Sequence, residues 1–260
     1  MTRRDARATM SVTGHLSELR SRIIKSAVAV LAGVIVVVIF YERVLRWLTE
    51  PYVSLCRRSP QEYCGLSYDS IADEVNLFTL DPVEGLTTRL RVATYGGIVL
   101  ALPVLLWQIW RFIVPALHRR ERGFAVGFVV SSLVLFIAGG FLAYTTLDRA
   151  LEFLITWSGS GVEQAFRVSA YVRLVTVMVV AFGVGFTVPV LLVFLQLVGL
   201  ITPRMLIRGW RYAVVGTVFI AAAITPSGDP YSLATLSVPM VTLYFAAAGI
   251  GRLLIRRRDD

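Results

Sequence analysis

Residue types that most often carry out chemistry are scarce in this sequence. It contains two histidines, His15 and His118, and two cysteines, Cys56 and Cys64. A mixed zinc site would need members of both pairs in one place. A nucleophilic serine, for example in segment 158–161 (SGSG), would need a histidine beside it. Whether any of these groups can meet depends on the elements that carry them.

Long uncharged segments make up most of those elements. Hydrophobic residues account for 56% of the 260 residues and charged residues for only 17%, a far more apolar balance than soluble domains have. About 20 apolar residues cross a bilayer as a helix. The sequence therefore predicts an all-α polytopic membrane protein, one integral membrane domain over residues 1–260. Its six predicted transmembrane helices lie at approximately residues 23–40, 92–110, 123–147, 174–198, 212–224 and 231–251.

The segments between the predicted spans contain loop and turn patterns. Residues 41–81 are expected to form the first outer loop, and segment 225–230 (TPSGDP) is typical of a turn between the last two spans. Because the fifth span is short, residues 212–251 could instead form a re-entrant hairpin.

Three helix starts outside the apolar segments are predicted. Asp81-Pro82-Val83-Glu84 and Thr202-Pro203 have the pattern of an N-cap followed by proline. Residues 13–22 are expected to form a short amphipathic helix at the membrane surface.

Basic residues are distributed very unequally between the two sides of this topology. With the N-terminus inside, the inner side holds 17 basic and five acidic residues, and the outer side holds nine basic and 12 acidic residues. The positive-inside rule therefore places both termini in the cytoplasm. Topology also explains the net charge of +9 better than nucleic-acid binding does.

This orientation separates the candidate chemical groups. Both histidines fall on the inner side and both cysteines on the outer side, so a mixed metal site cannot assemble within the chain, and no histidine is available to activate Ser158 or Ser160. We therefore expect neither catalysis nor a cofactor. In an oxidising compartment Cys56 and Cys64 can form a disulfide. Two free thiols in a mobile loop are the alternative.

Two carboxylates stand out on the arginine-rich inner face. Glu18 lies at the foot of the first span, and Glu121 lies between the second and third spans. Internal pairing would explain both, Glu18 with Arg22 at i+4 and Glu121 with Arg119 or Arg122. Recognition of a cationic ligand is the alternative.

A small-solute secondary transporter is a further possibility, because glycines and Pro189 interrupt the fourth span. Transporters usually have ionisable groups near the membrane centre. No predicted span has a carboxylate there.

The sequence resembles the TatC family, the receptor subunits of the twin-arginine protein translocase. The resemblance runs in order from residue 15 to about residue 250 and is carried by several short segments. They are residues 15–20 (HLSELR), 50–51 (EP), 108–117 (QIWRFIVPAL) with 121–122 (ER), 182–186 (FGVGF) with 188–190 (VPV), and 225–229 (TPSGD) with Pro239 and 243–244 (LY).

The resemblance implies a six-helix, concave, glove-like fold in the bacterial cytoplasmic membrane. It implies a multi-copy receptor that works with TatA- and TatB-type single-span partners and membrane lipids, and that exports folded proteins by using the proton-motive force. It also implies that Glu18 and Glu121 contact the paired arginines of a signal peptide. The residues that would shape that site are Leu16, Arg20, Phe112 and Pro115.

Further positions match ones that are sensitive in the family, namely Pro51, Thr225 and Asp229. One position departs from the pattern. Thr187 stands where the family commonly has a glutamate, so a contact of that residue with a partner helix could not use a buried charge here. Gln196 lies nine residues further along, about 13 Å up the helix, too far to replace it simply.

Overall fold

Eight helices and one small antiparallel strand pair form the part of the chain that the structure describes. This computed structural model describes residues 12–59, 63–64, 68–69, 74–75, 77–113, 125–158, 166–225 and 228–259. The helices are α1 Val12–Ile39, α2 Tyr41–Arg58, α3 Pro82–Ile113, α4 Ala125–Trp157, α5 Val168–Leu197, α6 Pro203–Arg208, α7 Trp210–Ile224 and α8 Pro230–Asp259. The strands are β1 Tyr68–Asp69 and β2 Glu74–Val75.

Six of these helices correspond to the predicted spans. Among the described residues, α1, α3, α4, α5 and α8 are long and apolar enough to cross a membrane, and α7 is apolar but shorter. The prediction of an all-α polytopic fold is confirmed. Thr202 caps α6, accepting a hydrogen bond from the Met205 amide at 3.3 Å, with Pro203 at the first helical position. Asp81 caps α3 in the same way, accepting from the Val83 amide at 2.8 Å.

Three boundaries differ from the expectations. Residues 13–22 do not form a separate surface helix, because no helix breaker separates them from the first apolar segment and α1 continues through both. The segment expected as the first outer loop begins with α2, whose buried Leu48, Tyr52 and Leu55 share one face of that helix. The third long helix continues about three turns past residue 147, to Trp157.

Two glycines determine how closely α1 and α3 pack. A Cβ atom on Gly33 would meet the Gly97 carbonyl oxygen at 2.5 Å, and a Cβ atom on Gly97 would meet the Val34 amide nitrogen at 2.6 Å. Only hydrogen fits on either side, so the two backbones touch directly. In lipid, where apolar side chains gain little by leaving the solvent, such small-residue contacts are a main source of helix association.

The bundle has a basic end and a loop end. The basic end comprises the start of α1, the end of α3, the end of α5, α6, the start of α7 and the end of α8. It carries Arg20, Arg22, Arg111, Arg204, Arg208, Arg211 and Arg252. The loop end is the opposite one, where α2 and the strand pair lie. The larger buried cluster includes residues of the loop end such as Leu48, Tyr52, Leu151 and Tyr171, whereas Trp110 and Phe194 form a small separate cluster toward the basic end.

Candidate functional site

Glu18 lies on α1 at the basic end and is paired with Arg22, one turn further along the same helix. The side chains are partly sheltered, with a relative exposure of 25% for Glu18 and 10% for Arg22. Glu18 Oε1 accepts the hydrogen bond from Arg22 Nη2. Glu18 Oε2 is buried and has no hydrogen-bond partner among the described residues. The structure therefore shows the internal i,i+4 pair and, beside it, an acceptor oxygen whose hydrogen-bonding capacity is unused.

The other predicted site residues are only partly described. Arg20 is exposed on α1. The backbones of Leu16 and Phe112 lie in α1 and α3. Pro115 and Glu121 lie outside the described residues, as does His118. The structure thus describes Glu18 and Arg20 at the foot of α1 and does not test whether Glu121 joins them.

Pro51 interrupts the hydrogen bonds of α2 and creates a cross-helix contact. Proline has no amide hydrogen, so the carbonyl of Trp47, four residues earlier, loses its helical donor. The Tyr144 hydroxyl of α4 donates to that carbonyl at 2.8 Å, and the Tyr144 ring stacks on Trp47 with centroids 4.4 Å apart. The Tyr171 hydroxyl of α5 donates to the next carbonyl, Leu48, at 2.9 Å. Pro51 therefore has a structural role, since it leaves a carbonyl free to attach α2 to α4.

Thr225 and Asp229 are both buried and shape the turn between α7 and α8. The Thr225 hydroxyl donates to the Ala221 carbonyl at 2.6 Å. Asp229 Oδ1 accepts from the Ser232 amide at 2.6 Å, which makes it the N-cap of α8. Gly228 has φ +60°, a left-handed backbone conformation that favours glycine. The break between α7 and α8 falls at the predicted turn segment, of which residues 226 and 227 lie outside the described residues.

Thr187 and Gln196 occupy different environments on α5. Thr187 is partly buried, and its hydroxyl donates to the Gly183 carbonyl at 2.9 Å. Gln196 is only 1% exposed, and its Nε2 donates to the Ala247 carbonyl of α8 at 3.0 Å. A Cβ atom on Gly251 would collide with this amide. Gln196 therefore links α5 to α8, while Thr187 hydrogen-bonds within its own helix.

A cluster of hydrogen bonds around one carboxylate, that of Glu84, lies at the loop end and was not predicted from the sequence. Glu84 Oε1 accepts from the Ser169 amide at 3.2 Å and from the Ser169 hydroxyl. Glu84 Oε2 accepts from the Leu80 amide at 3.0 Å and from Arg167 Nη2 at 3.4 Å. These bonds attach the start of α3 to the start of α5. The capping pattern at residues 81–84 indicated a helix start, but no local signal identified Ser169, 85 residues away, as its partner.

The donors around Glu84 also change its acidity. In the predicted topology the span of α3 starts at Val92, eight residues after Glu84, and so places Glu84 outside the membrane-spanning part of the helix. The hydrogen bond from the Ser169 hydroxyl, followed by that from the Leu80 amide, lowers the pKa of Glu84 from 4.5 to about 2. Both donors stabilise the ionised form. Glu84 is thus a charged structural anchor at neutral pH.

Cys56 and Cys64 are disulfide-bonded at the loop end, with their Cα atoms 5.6 Å apart. Both residues are fully buried. The bridge connects the last turn of α2 to the segment that follows it. Within the described ranges no group of three or more His, Cys, Asp or Glu side chains could hold a metal ion.

The fold and these sites define a class: a multi-pass membrane protein whose polar features cap helices, link helices or present charge at one end. Comparisons with known proteins make the class specific. The family model described as Sec-independent protein translocase protein (TatC) matches residues 14–239. The TatC protein of Frankia casuarinae is 37% identical over 249 residues, which cover 95% of this chain and 67% of that protein. The TatC protein of Synechocystis is 34% identical over 94% of this chain and 89% of its own length.

A solved structure agrees with the sequence relatives. The crystal structure of a twin-arginine translocase receptor TatC in DDM has a TM-score of 0.73 and 32% identity, covering 91% of this chain and 99% of that one. The chain belongs to the TatC family of Sec-independent protein translocase proteins. It is therefore a component of the twin-arginine translocase, in which TatC proteins act in transport together with other Tat subunits.

Proposed function

We propose that this chain is the signal-peptide receptor and core of its translocase. It binds a twin-arginine signal peptide at the basic end, which faces the cytoplasm, and it supports export of the folded cargo by the proton-motive force. The proposal assigns it no catalytic step and no cofactor.

The free oxygen of Glu18 is the observation that carries the proposal. Glu18 Oε2 is buried without a hydrogen-bond partner in the described part of the chain, and a buried unpaired acceptor is costly. The Glu18 side chain as a whole is 25% exposed, so a rotation of the carboxylate would bring this oxygen to the surface. A guanidinium from a bound peptide would then satisfy it while Arg22 stays bonded to the other oxygen. The internal pair and ligand recognition are therefore compatible. Arg22 positions the carboxylate and leaves one oxygen for the ligand.

Arginine suits this acceptor better than lysine does. A guanidinium has five N–H donors in a planar fork and can bond to a carboxylate at two points, whereas an ammonium group acts as a point charge. The other described charges near the foot of α1 include Arg20 and Lys25, which are exposed and repel a cationic peptide. Arginines of the peptide are thus attracted only where a carboxylate compensates that repulsion.

The remaining assignments rest on the family pattern. Glu121 would contact the second arginine of the peptide. The residues that would shape the surface between the two carboxylates are Leu16, Arg20, Phe112 and Pro115.

The chain acts in a bacterial cytoplasmic membrane as part of a multi-copy complex with TatA- and TatB-type single-span partners. Thr187, where the family commonly has a glutamate, would meet a partner helix without a buried charge. Its hydroxyl already donates to Gly183, so its remaining capacity is as an acceptor.

The test is peptide binding to the purified full chain in detergent. A labelled twin-arginine peptide is titrated against wild type, Glu18→Gln and Glu152→Gln. Glu152 is a matched control, because it is a helical glutamate paired with Arg149 at the loop end. Loss of one charge-assisted hydrogen bond predicts roughly tenfold or greater weakening for Glu18→Gln and no change for Glu152→Gln.

A twin-lysine peptide serves as the second arm. It should bind wild type more weakly than the twin-arginine peptide, and Glu18→Gln should reduce that preference. If Glu18→Gln bound the twin-arginine peptide as wild type does, the site assignment would be wrong.

A further inference from the structure

Four arginines converge where α6, α7 and α8 meet at the basic end. They are Arg204 and Arg208 on α6, Arg211 on α7 and Arg252 on α8. All four are exposed, and none has an ion-pair partner among the described residues. The described part of this corner therefore presents four uncompensated positive charges.

Two adjoining cavities are built around these side chains. One, of about 270 Å³, is lined by Pro203, Arg204, Ile207, Arg208 and Arg252. The other, of about 720 Å³, is lined by Ile207, Arg208, Trp210, Arg211, Tyr212 and Val215. They share Ile207 and Arg208, and neither lining contains a carboxylate. The corner thus has two basic recesses joined at Arg208.

Apolar and aromatic side chains continue from the second recess along α7. Val215 and Phe219, one turn apart, are 69% and 73% exposed. Trp210 and Tyr212 are exposed beside the arginines, as aromatic residues at a membrane interface commonly are. The helix itself has 15 residues and is about 22 Å long, shorter than the roughly 30 Å hydrocarbon core. A short helix draws lipid headgroups toward its ends.

We propose that this corner binds an anionic phospholipid with two phosphate groups. One phosphate lies in each recess, Arg208 contacts both, and the acyl chains follow Val215 and Phe219. Guanidinium groups bind phosphate at two points, and basic pockets between transmembrane helices are suited to such headgroups. A cationic signal peptide is excluded by charge, so this site is distinct from the one proposed at Glu18.

Native mass spectrometry of the delipidated full chain tests the proposal. Diphosphatidylglycerol, phosphatidylglycerol and phosphatidylcholine of matched acyl chains are added to wild type, Arg208→Gln and Arg111→Gln. Arg111 is the control, because it is an exposed arginine of the basic end that lines neither recess. Wild type should bind one diphosphatidylglycerol in preference to the other two lipids. Arg208→Gln should weaken that binding by about tenfold or more, and Arg111→Gln should not.

Several results would overturn it. If Arg208→Gln and Arg111→Gln weakened diphosphatidylglycerol binding equally, the lipid would be held by the general positive charge of the basic end and not by the two recesses. Equal affinity for diphosphatidylglycerol and phosphatidylglycerol would remove the two-phosphate assignment. Displacement of the lipid by millimolar glycerophosphate would show that the recesses hold free phosphate and that the acyl contacts along α7 contribute nothing.

Discussion

The two ends of the bundle use their polar groups in opposite ways. At the loop end, Glu84 accepts bonds from Ser169, Leu80 and Arg167, and Asp148 pairs with Arg58 at 3.8 Å. At the basic end, the described ion pairing is limited to Glu18 with Arg22. These loop-end charges are therefore engaged in contacts within the protein. Most described charges of the basic end have no such partner and remain available to bind a ligand.

This difference separates residues that stabilise the fold from residues that are available to bind a ligand. A charge that already has partners gains little from a ligand, and removing it leaves those partners unpaired. A charge without partners contributes little to the fold, so its removal should leave stability nearly unchanged and should affect binding only where that charge contacts a ligand. Substitutions of the paired groups at the loop end should therefore reduce stability and leave peptide binding intact. Glu18→Gln at the basic end should weaken peptide binding and leave stability nearly unchanged.

Removal of the disulfide is the strongest test of this comparison. Replacing Cys56 and Cys64 by serine opens a closure of eight residues and should cost about 2–3 kcal/mol of stability, read as a lower thermal midpoint in detergent. Binding of the twin-arginine peptide, measured well below that midpoint, should equal wild type. A parallel loss of binding would show that the two ends are coupled. Mass spectrometry of the unreduced protein that found two free thiols would disprove the bridge itself.

Acidification should weaken the loop end through Glu84. Its pKa in the folded protein, about 2, lies below its ordinary value of 4.5. The carboxylate therefore stabilises the fold fully above pH 4.5, and that contribution is lost as the pH falls toward 2. Thermal midpoints measured from pH 7 to pH 2.5 should fall more steeply for wild type than for Glu84→Gln. If the thermal midpoints of wild type and Glu84→Gln fell equally with pH, the role of Glu84 as a charged structural anchor would be contradicted.

Tyr144→Phe should have a smaller effect, about 1 kcal/mol, because it removes one hydrogen bond to the Trp47 carbonyl. A double-mutant cycle tests whether Pro51 acts through this hydrogen bond. In Pro51→Ala, the new amide of residue 51 can donate to Trp47, so adding Tyr144→Phe should cost less than it does in wild type. Additive losses would mean that Pro51 does not act through this carbonyl.

Glu18→Gln should have the smallest effect on stability. The glutamine oxygen can still accept from Arg22, so only the charge component of an i,i+4 pair is lost, about 0.5 kcal/mol. A thermal midpoint close to wild type, combined with weakened peptide binding, would show that Glu18 acts in peptide binding and contributes little to the fold. A midpoint loss as large as that of the disulfide variant would place it with the structural residues.

Helix positions and turns could be predicted from the sequence because their signals are local. Charge-free runs, the Asp81-Pro82 and Thr202-Pro203 starts and the turn at 225–230 all depend on neighbouring residues. α2 was missed although its apolar residues recur at helical spacing, because it contains charged residues and Pro51 and is not a span.

Long-range contacts could not be predicted in the same way. The pairing of Glu84 with Ser169, and of Pro51 with Tyr144 through a carbonyl, depends on how α2, α3, α4 and α5 pack. The two carboxylates of the proposed peptide site were identified through the family pattern and their contrast with surrounding arginines. The structure adds the free oxygen of Glu18, a detail of side-chain geometry that spacing alone does not determine.

The glycine contact between α1 and α3 has a consequence for the geometry of recognition. Glu18 lies 15 residues before Gly33, and Ile113 lies 16 residues after Gly97, so both helices extend about 22–24 Å from the contact toward the basic end. The distance between the two helix ends depends on the crossing angle at the glycines and on the course of α3 past Pro103, which lies between Gly97 and Ile113. A larger residue at Gly33 or Gly97 would force the helices apart at this contact and change the distance between their ends. On the proposed receptor function, it would thereby change which spacing of paired arginines the chain binds, without a substitution in the peptide site.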